Sequence, residues 1–204
     1  MTRIATATGD QKITLGAPNP AATAGNAAIL RQPGLALLCS VKCPGKLILT
    51  TYDLMQNLRD LGVHVISGFH SPMEQECLRI LLRSPNPVTM CLARGLLTRI
   101  PPVLQRPVAE GRLLLVAPFP ATVRRVTAET SVKRNRVVAD MAAAVIVPHA
   151  APGSKIEVLS LELLAVGKPL YTFDHPANAA LIQAGARPIT PETDWKHHLT
   201  PEAS

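Results

Sequence analysis

Four short stretches of this chain combine small residues with a base or a hydroxyl in the way a phosphate site requires. They are Ser40-Val41-Lys42-Cys43-Pro44-Gly45, Ser67-Gly68-Phe69-His70-Ser71-Pro72, Ala93-Arg94-Gly95 and His149-Ala150-Ala151-Pro152-Gly153-Ser154-Lys155. Small side chains let an anion reach the backbone, free N–H groups hydrogen-bond it, and a Lys or Arg supplies charge. A fifth stretch, Lys133-Arg134-Asn135-Arg136, sets three cations around an amide able to bond a base or a backbone group. The candidate phosphate or nucleic-acid ligands are therefore Ser40, Lys42, Ser67, Gly68, His70, Ser71, Arg94, Lys133, Arg134, Asn135, Arg136, Gly153, Ser154 and Lys155. Neither G-x-G-x-x-G nor G-x-x-x-x-G-K-[ST] occurs, so no standard dinucleotide fingerprint and no P-loop is claimed.

Charge is distributed in support of an anionic partner. The net charge of +7 is carried by the middle of the chain: residues 94–136 hold nine Lys/Arg against two Asp/Glu, whereas residues 137–204 hold four against seven. A basic stretch before an acidic end suits an anion held on one face. Aromatic residues are only 3%, which argues against a broad base-stacking platform. Cys39, Cys43, Cys77 and Cys91 lack the spacing of a zinc pair and read as buried thiols, so neither a metal nor a cofactor is expected. His70 and His149 follow apolar runs and read as structural groups more readily than as catalysts. With no apolar run near the length of a membrane span and no leader pattern, a soluble, cytoplasmic protein without membrane contact is expected.

The elements that must position these loops follow from periodicity. Residues 1–30, rich in Ala, Thr, Gly, Asn and Pro, read as a loosely ordered arm with at most a short helix near Ala27–Arg31. From residue 31 to 190 the pattern is regular. Strands are expected at Leu35–Cys39, Val63–Ile66, Pro87–Leu92, Leu113–Val116, Ala144–Pro148 and Pro169–Phe173, all short and mostly apolar. Helices are expected between them: Leu47–Leu61, one opened by Ser71-Pro72-Met73-Glu74 as a capping box, Val103–Glu110, Ser131–Ala142, Ile156–Val166 and Asn178–Ala184. The cationic stretch at 133–136 would then open the fourth of these. Residues 191–204, with Trp195 and His197-His198, read as a tail. Alternating strands and helices predict an α/β fold: a Rossmann-like, doubly wound, mostly parallel sheet with helices on both faces. In such a sheet the loops at the carboxyl ends of the strands converge, and there they would form the anion pocket.

The same residues carry a resemblance. Gly25-Asn26 with Pro33-Gly34-Leu35-Ala36-Leu37-Leu38-Cys39-Ser40, then Val65-Ile66-Ser67-Gly68, Arg134-Asn135-Arg136-Val137-Val138-Ala139, Ala144–Ala150 with Gly153-Ser154, and Gly167-Lys168-Pro169-Leu170 resemble, in order, motifs of the DprA/Smf family of DNA-processing proteins. The likeness spans roughly residues 25–190 and fits a compact branch keeping only the Rossmann domain. Where the family has a first-loop GSR, this chain has Cys39-Ser40-Val41, and Lys42 would supply the charge. Where the family has ARGID, it has His70-Ser71-Pro72-Met73-Glu74. The resemblance implies a dimeric protein that binds single-stranded DNA and works with a RecA-type recombinase. It also implies that Ser40, Ser67, Gly68, Arg134, Asn135, Arg136, Gly153 and Ser154 line the phosphate pocket. Two alternatives come from the wider superfamily: a nucleoside-monophosphate phosphoribohydrolase, with Glu157 and Arg134 or Arg136 as its working pair, and a non-catalytic nucleotide sensor. The expectation retained is DNA binding without chemistry of its own.

Overall fold

A computed structural model describes residues 22–190 together with Thr193 and Trp195. Its strands are β1 (Ala22–Ala24), β2 (Gly34–Leu37), β3 (His64–Ser67), β4 (Val88–Cys91), β5 (Leu113–Ala117), β6 (Ala144–Ile146), β7 (Leu170–Phe173) and β8 (Arg187–Ile189). The helices are α1 (Gly45–Asp60), α2 (Pro72–Leu81), α3 (Pro102–Ala109), α4 (Ala128–Met141), α5 (Lys155–Ala165) and α6 (Ala179–Gln183). They build one sheet of order β1-β5-β4-β3-β2-β6-β7-β8, parallel throughout except for β1, which runs antiparallel to β5. This is the Rossmann-like α/β fold expected from the alternation of strands and helices.

The continuous apolar runs have a direct cause: helices cover both sides of each central strand. Along β2, Leu35 and Leu37 face the core beneath α1, α2 and α3, while Ala36, and Leu38 just past the strand, face the core beneath α4, α5 and α6. A strand buried on both faces has no polar side to show, so the period-2 signal is lost. Two edge strands escaped the sequence reading. Ala22–Ala24 pairs with β5 in register Thr23↔Val116, and Arg187–Ile189 pairs with β7 in register Thr172↔Pro188. Both are three residues long, and their Ala or Pro content carries little strand propensity. A 3-10 helix at Ala27–Arg31, capped by the Asn26 side chain, connects β1 to β2.

Trp195 corrects the picture of the carboxyl end. It is 0% exposed and packs edge-on against Tyr171 of β7, ring centroids 5.3 Å apart at 80°. Trp195 itself therefore belongs to the core, whereas His197 and His198 lie outside the described residues.

His64, at the start of β3, is a second buried polar element. It is 2% exposed, its Nε2 lies 2.8 Å from Thr89 Oγ1 on β4, and burial pushes its pKa down to about 4 from the usual 6.5. The unfolded chain therefore takes up this proton first as pH falls. The neutral imidazole's contribution is complete above about pH 6.5 and is lost progressively down to about pH 4, amounting to at most about 3 kcal/mol. Urea unfolding at pH 7.5 and pH 5 should show the fall, and His64→Gln should flatten it. An equal fall in the variant would remove His64 as its source.

Candidate functional site

The sheet order reverses between β2 and β6, whose following helices α1 and α5 leave to opposite faces and open a crevice at the carboxyl ends of the strands. Ser40 ties the crevice floor together. Its N–H donates to the His149 carbonyl (3.0 Å), its hydroxyl donates to Ser154 Oγ (3.0 Å), and it accepts from the Ala151 N–H (2.9 Å). Ser154 caps α5 by accepting from the Glu157 N–H, and the Glu157 carboxylate accepts from the Gly153 N–H at 2.6 Å. Gly153 has φ +71°, a left-handed turn that suits glycine. His149 is buried, its Nδ1 3.1 Å from Asn178 Oδ1, and Asn178 in turn donates to the Pro148 and Phe173 carbonyls. His149 thus fastens β6 to the segment after β7. Opposite, α1 begins after Pro44 with no side-chain cap, leaving its first N–H groups free of one.

One strand over, β3 ends at Ser67-Gly68-Phe69. Ser67 is fully buried and donates its hydroxyl to Leu37 O at 2.8 Å, so it stitches β3 to β2 and does not present itself to a ligand. Phe69 is the sole non-glycine at positive φ (46°) among the described residues, a strained backbone at the turn into α2. The expected capping box is present. Ser71 Oγ accepts from the Glu74 N–H, and the Glu74 carboxylate accepts from the N–H groups of Ser71 (2.9 Å) and His70 (3.0 Å). Ser71 is spent on this cap; His70 is exposed at the rim.

Arg134 is the centre of the site. The sequence placed residues 133–136 at a helix start, but α4 begins five residues before Lys133, at Ala128, behind a Thr127–Thr130 capping box. The cationic stretch is therefore mid-helix, where successive residues turn by about 100° and cannot share a face. Lys133 points out and pairs with Glu129 at 2.7 Å, and Arg136 pairs with Glu162 of α5 at 2.5 Å. Arg134 alone turns inward and is only 5% exposed. Its Nε donates to Asn135 Oδ1 at 2.8 Å and its Nη1 reaches Cys91 O at 3.4 Å; Nη2 has no acceptor among the described residues. Burial pulls the guanidinium below its ordinary pKa, and the Glu74 carboxylate pushes the other way. The guanidinium lies against Gly68, where a Cβ would run into Nη1 and Cζ. Gly68→Ala should therefore displace the Arg134 guanidinium and destabilise by about 1–3 kcal/mol. Urea unfolding checks this; unchanged stability would show that the contact is not a close one.

Other cations divide between the two ends of the sheet. Gly95 N donates to Val123 O at 2.8 Å, joining the loops after β4 and β5, so Arg94 is in the loop next to Arg124 and Arg125. None of these three makes an ion pair among the described residues. Arg124 and Arg125 were not singled out from the sequence; the pairing is tertiary and leaves no local signal. Arg106 and Arg112, by contrast, are held by Glu110 at the amino-end side of β5. Lys42 and Lys155 are exposed beside the crevice. The fold thus gathers Ser40, Gly153 and Ser154 at one side of the edge and Gly68 with Arg134 at the other. Lys133 and Arg136 lie on the outer surface of α4, apart from both. No group of three metal-ligating side chains occurs among the described residues.

The comparisons agree with this architecture. The chain spans 89% of its own length in matches to two solved structures at 18% identity. One is DNA processing protein A of Streptococcus pneumoniae, with TM-score 0.75 and 67% of that chain covered. The other is DNA processing protein A of Helicobacter pylori, whose structure concerns its single-stranded DNA binding mode, with TM-score 0.70 and 86% covered. The molybdenum cofactor carrier protein of Chlamydomonas reinhardtii shares the fold more distantly, at 12% identity and TM-score 0.54, over 78% of this chain and 92% of that one. At such identities these are likenesses of fold. No curated protein matches the chain. A family model described as DNA recombination-mediator protein A matches residues 14–199, from before β1 through the buried Trp195, and on that extent the chain belongs to the family of DNA recombination-mediator protein A.

Proposed function

We propose that this protein binds single-stranded DNA by its phosphates at the carboxyl edge of the sheet, in a DNA-processing role and without chemistry of its own. The observation that carries the reading is Arg134: a guanidinium 5% exposed, beside a glycine that leaves room for it, with Nη2 lacking a protein acceptor among the described residues. Nη2 is not sealed among the buried polar atoms that lack a partner, so an anion can reach it, and a guanidinium bonds a phosphate by a charge-assisted hydrogen bond. Gly68, Ser40, Gly153 and Ser154 would shape the phosphate's surroundings, with Lys42, His70 and Lys155 at the rim. Arg94, Arg124 and Arg125 would carry the strand onward. Asn135 acts by holding the Arg134 Nε. The phosphoribohydrolase alternative loses ground because the Glu157 carboxylate is already bonded to the Gly153 N–H.

A homodimer and a RecA-type recombinase partner are proposed on family grounds alone; light scattering and a pull-down test them. The binding proposal is tested by fluorescence anisotropy with a labelled oligothymidylate at two salt concentrations, competed by nucleoside monophosphates. Salt-sensitive binding that monophosphates displace only weakly supports a strand ligand. No oligonucleotide binding at low salt would overturn it, and full displacement at micromolar monophosphate would favour the free nucleotide.

A further inference from the structure

His149 has one ring nitrogen whose partner the fold supplies and one whose partner it does not. The residue comes just after β6 at the carboxyl edge of the sheet and is only 6% exposed. Its Nδ1 lies 3.1 Å from Asn178 Oδ1. The Asn178 amide is oriented by its own bonds. Its Nδ2 donates to the Pro148 carbonyl at 2.9 Å and to the Phe173 carbonyl at 3.2 Å, and a carbonyl can only accept. Oδ1 is therefore the acceptor that meets the ring, and Nδ1 carries the proton. In the neutral imidazole this fixes the tautomer and leaves a lone pair on Nε2.

That lone pair meets no donor among the described residues, and Nε2 is not one of the buried atoms sealed off without a partner, so a ligand can reach it. The two nitrogens leave an imidazole in nearly opposite directions. With Nδ1 turned to the segment after β7, Nε2 is turned away from β7, the side on which the crevice between β6 and β2 opens. The adjoining loop is built of Ala150, Ala151 and Gly153, and a Cβ at Gly153 would meet nothing within 4 Å. A lone acceptor beside small residues selects a hydrogen-bond donor. In an unpaired strand the Watson–Crick edges of the bases offer such donors. Only β2 stands between β6, which leads to His149, and β3, which leads to Gly68 and Arg134. At the spacing of neighbouring strands that is about 10 Å, within the reach of a nucleotide from its phosphate to its base edge.

We propose that His149 Nε2 reads a base of the bound strand, accepting a hydrogen bond from the Watson–Crick-edge N–H of an unpaired nucleobase. Asn178 is the positioning residue, since its bond to Nδ1 decides which nitrogen keeps the lone pair. This base contact rests on the proposed single-strand binding and deepens it: phosphate contacts hold a strand, and base contacts read it.

The test compares the affinity of the full chain for oligothymidylate and for the same strand built from N3-methylthymidine, which keeps every phosphate and sugar but lacks the N3–H donor. We expect the methylated strand to bind roughly tenfold more weakly, the scale of one hydrogen bond lost at a buried acceptor. His149→Asn puts an amide N–H where Nδ1–H was, keeps the bond to Asn178 and removes Nε2. It should bind the plain strand roughly tenfold more weakly, melt close to the parent and no longer distinguish the two strands. A His149→Asn protein that still prefers the plain strand tenfold would show that His149 only pins the fold, and would overturn the base contact. Equal affinity of the parent for both strands would overturn it whether or not the variant folds. An equal loss on removing just the 3′-terminal hydroxyl would assign Nε2 to a strand end instead of a base, and would overturn it too. An Arg134→Met protein that binds as tightly as the parent would overturn the phosphate site alone, and the methylated strand still decides His149. No binding of any strand would overturn both.

Discussion

Replacing Arg134 with methionine should cost this protein its oligonucleotide affinity and none of its stability. The side chain is nearly fully buried, yet among the described residues its acceptors are a neighbouring amide and a carbonyl at 3.4 Å. Buried charges held so incompletely are often replaced by apolar groups of similar volume at no loss, or with a gain of about 1–4 kcal/mol. Binding is the opposite case. Removing a desolvated cation from a phosphate costs about 2–5 kcal/mol, which is roughly a 30-fold loss of affinity or more. The slope of log affinity against log salt should also fall by about 0.7, the share of one neutralised phosphate on a single strand. Arg136→Met is the matched control: two residues further along the same helix, half-exposed and engaged with Glu162, it should shift stability by less than about 1 kcal/mol and binding only slightly. Anisotropy titrations and thermal melts on the two variants separate these outcomes. Equal losses in both would mean that affinity comes from general charge and not from the pocket.

The second large effect is structural. Trp195→Ala removes a fully buried indole that packs edge-on against Tyr171, and the cavity plus lost transfer energy should cost about 3–5 kcal/mol. Because this is the chain's one tryptophan, the unfolding must be followed by circular dichroism rather than fluorescence in the variant. Truncation of the largely exposed Leu49 should stay within about 0.5 kcal/mol. A Trp195→Ala protein as stable as the parent would mean that the indole does not hold the core.

Much of this molecule was legible before its structure. The six central strands announced themselves as apolar runs, because a sheet covered on both faces needs apolar residues at every position. Helix starts were readable where chemistry is local: Ser71, Pro72 and Glu74 form the cap that their spacing dictates. The edges were not. Ala22–Ala24 and Arg187–Ile189 become strands because β5 and β7 offer free backbone, which is a property of the neighbour and not of the segment. Trp195 gave no periodic signal either, since a single anchor has no period.

The site divides along the same line. Its loops were found because they must follow apolar runs, but their roles were fixed by tertiary contact. Ser67 and Ser71 look like ligands in sequence and are used internally, one on the Leu37 carbonyl and one on the α2 cap. The cationic stretch looked like a cluster and is one inward guanidinium between two surface ion pairs. Thr127 and Thr130 mark the true start of α4, three to six residues upstream of Lys133, and a Thr-x-x-Thr cap is a weaker signal than the Ser-Pro-x-Glu of α2. Gly68 was chosen for its smallness, and smallness is what the Arg134 contact demands.

The structure of this protein crystallised with a short oligothymidylate tests the central claim most directly. The account predicts a backbone phosphate hydrogen-bonded to Arg134 Nη2 near Gly68, with the strand running over the crevice edge toward Arg94, Arg124 and Arg125. A strand seated elsewhere, such as across Arg106 and Arg112 at the opposite end of the sheet, with Arg134 unchanged and untouched, would contradict it.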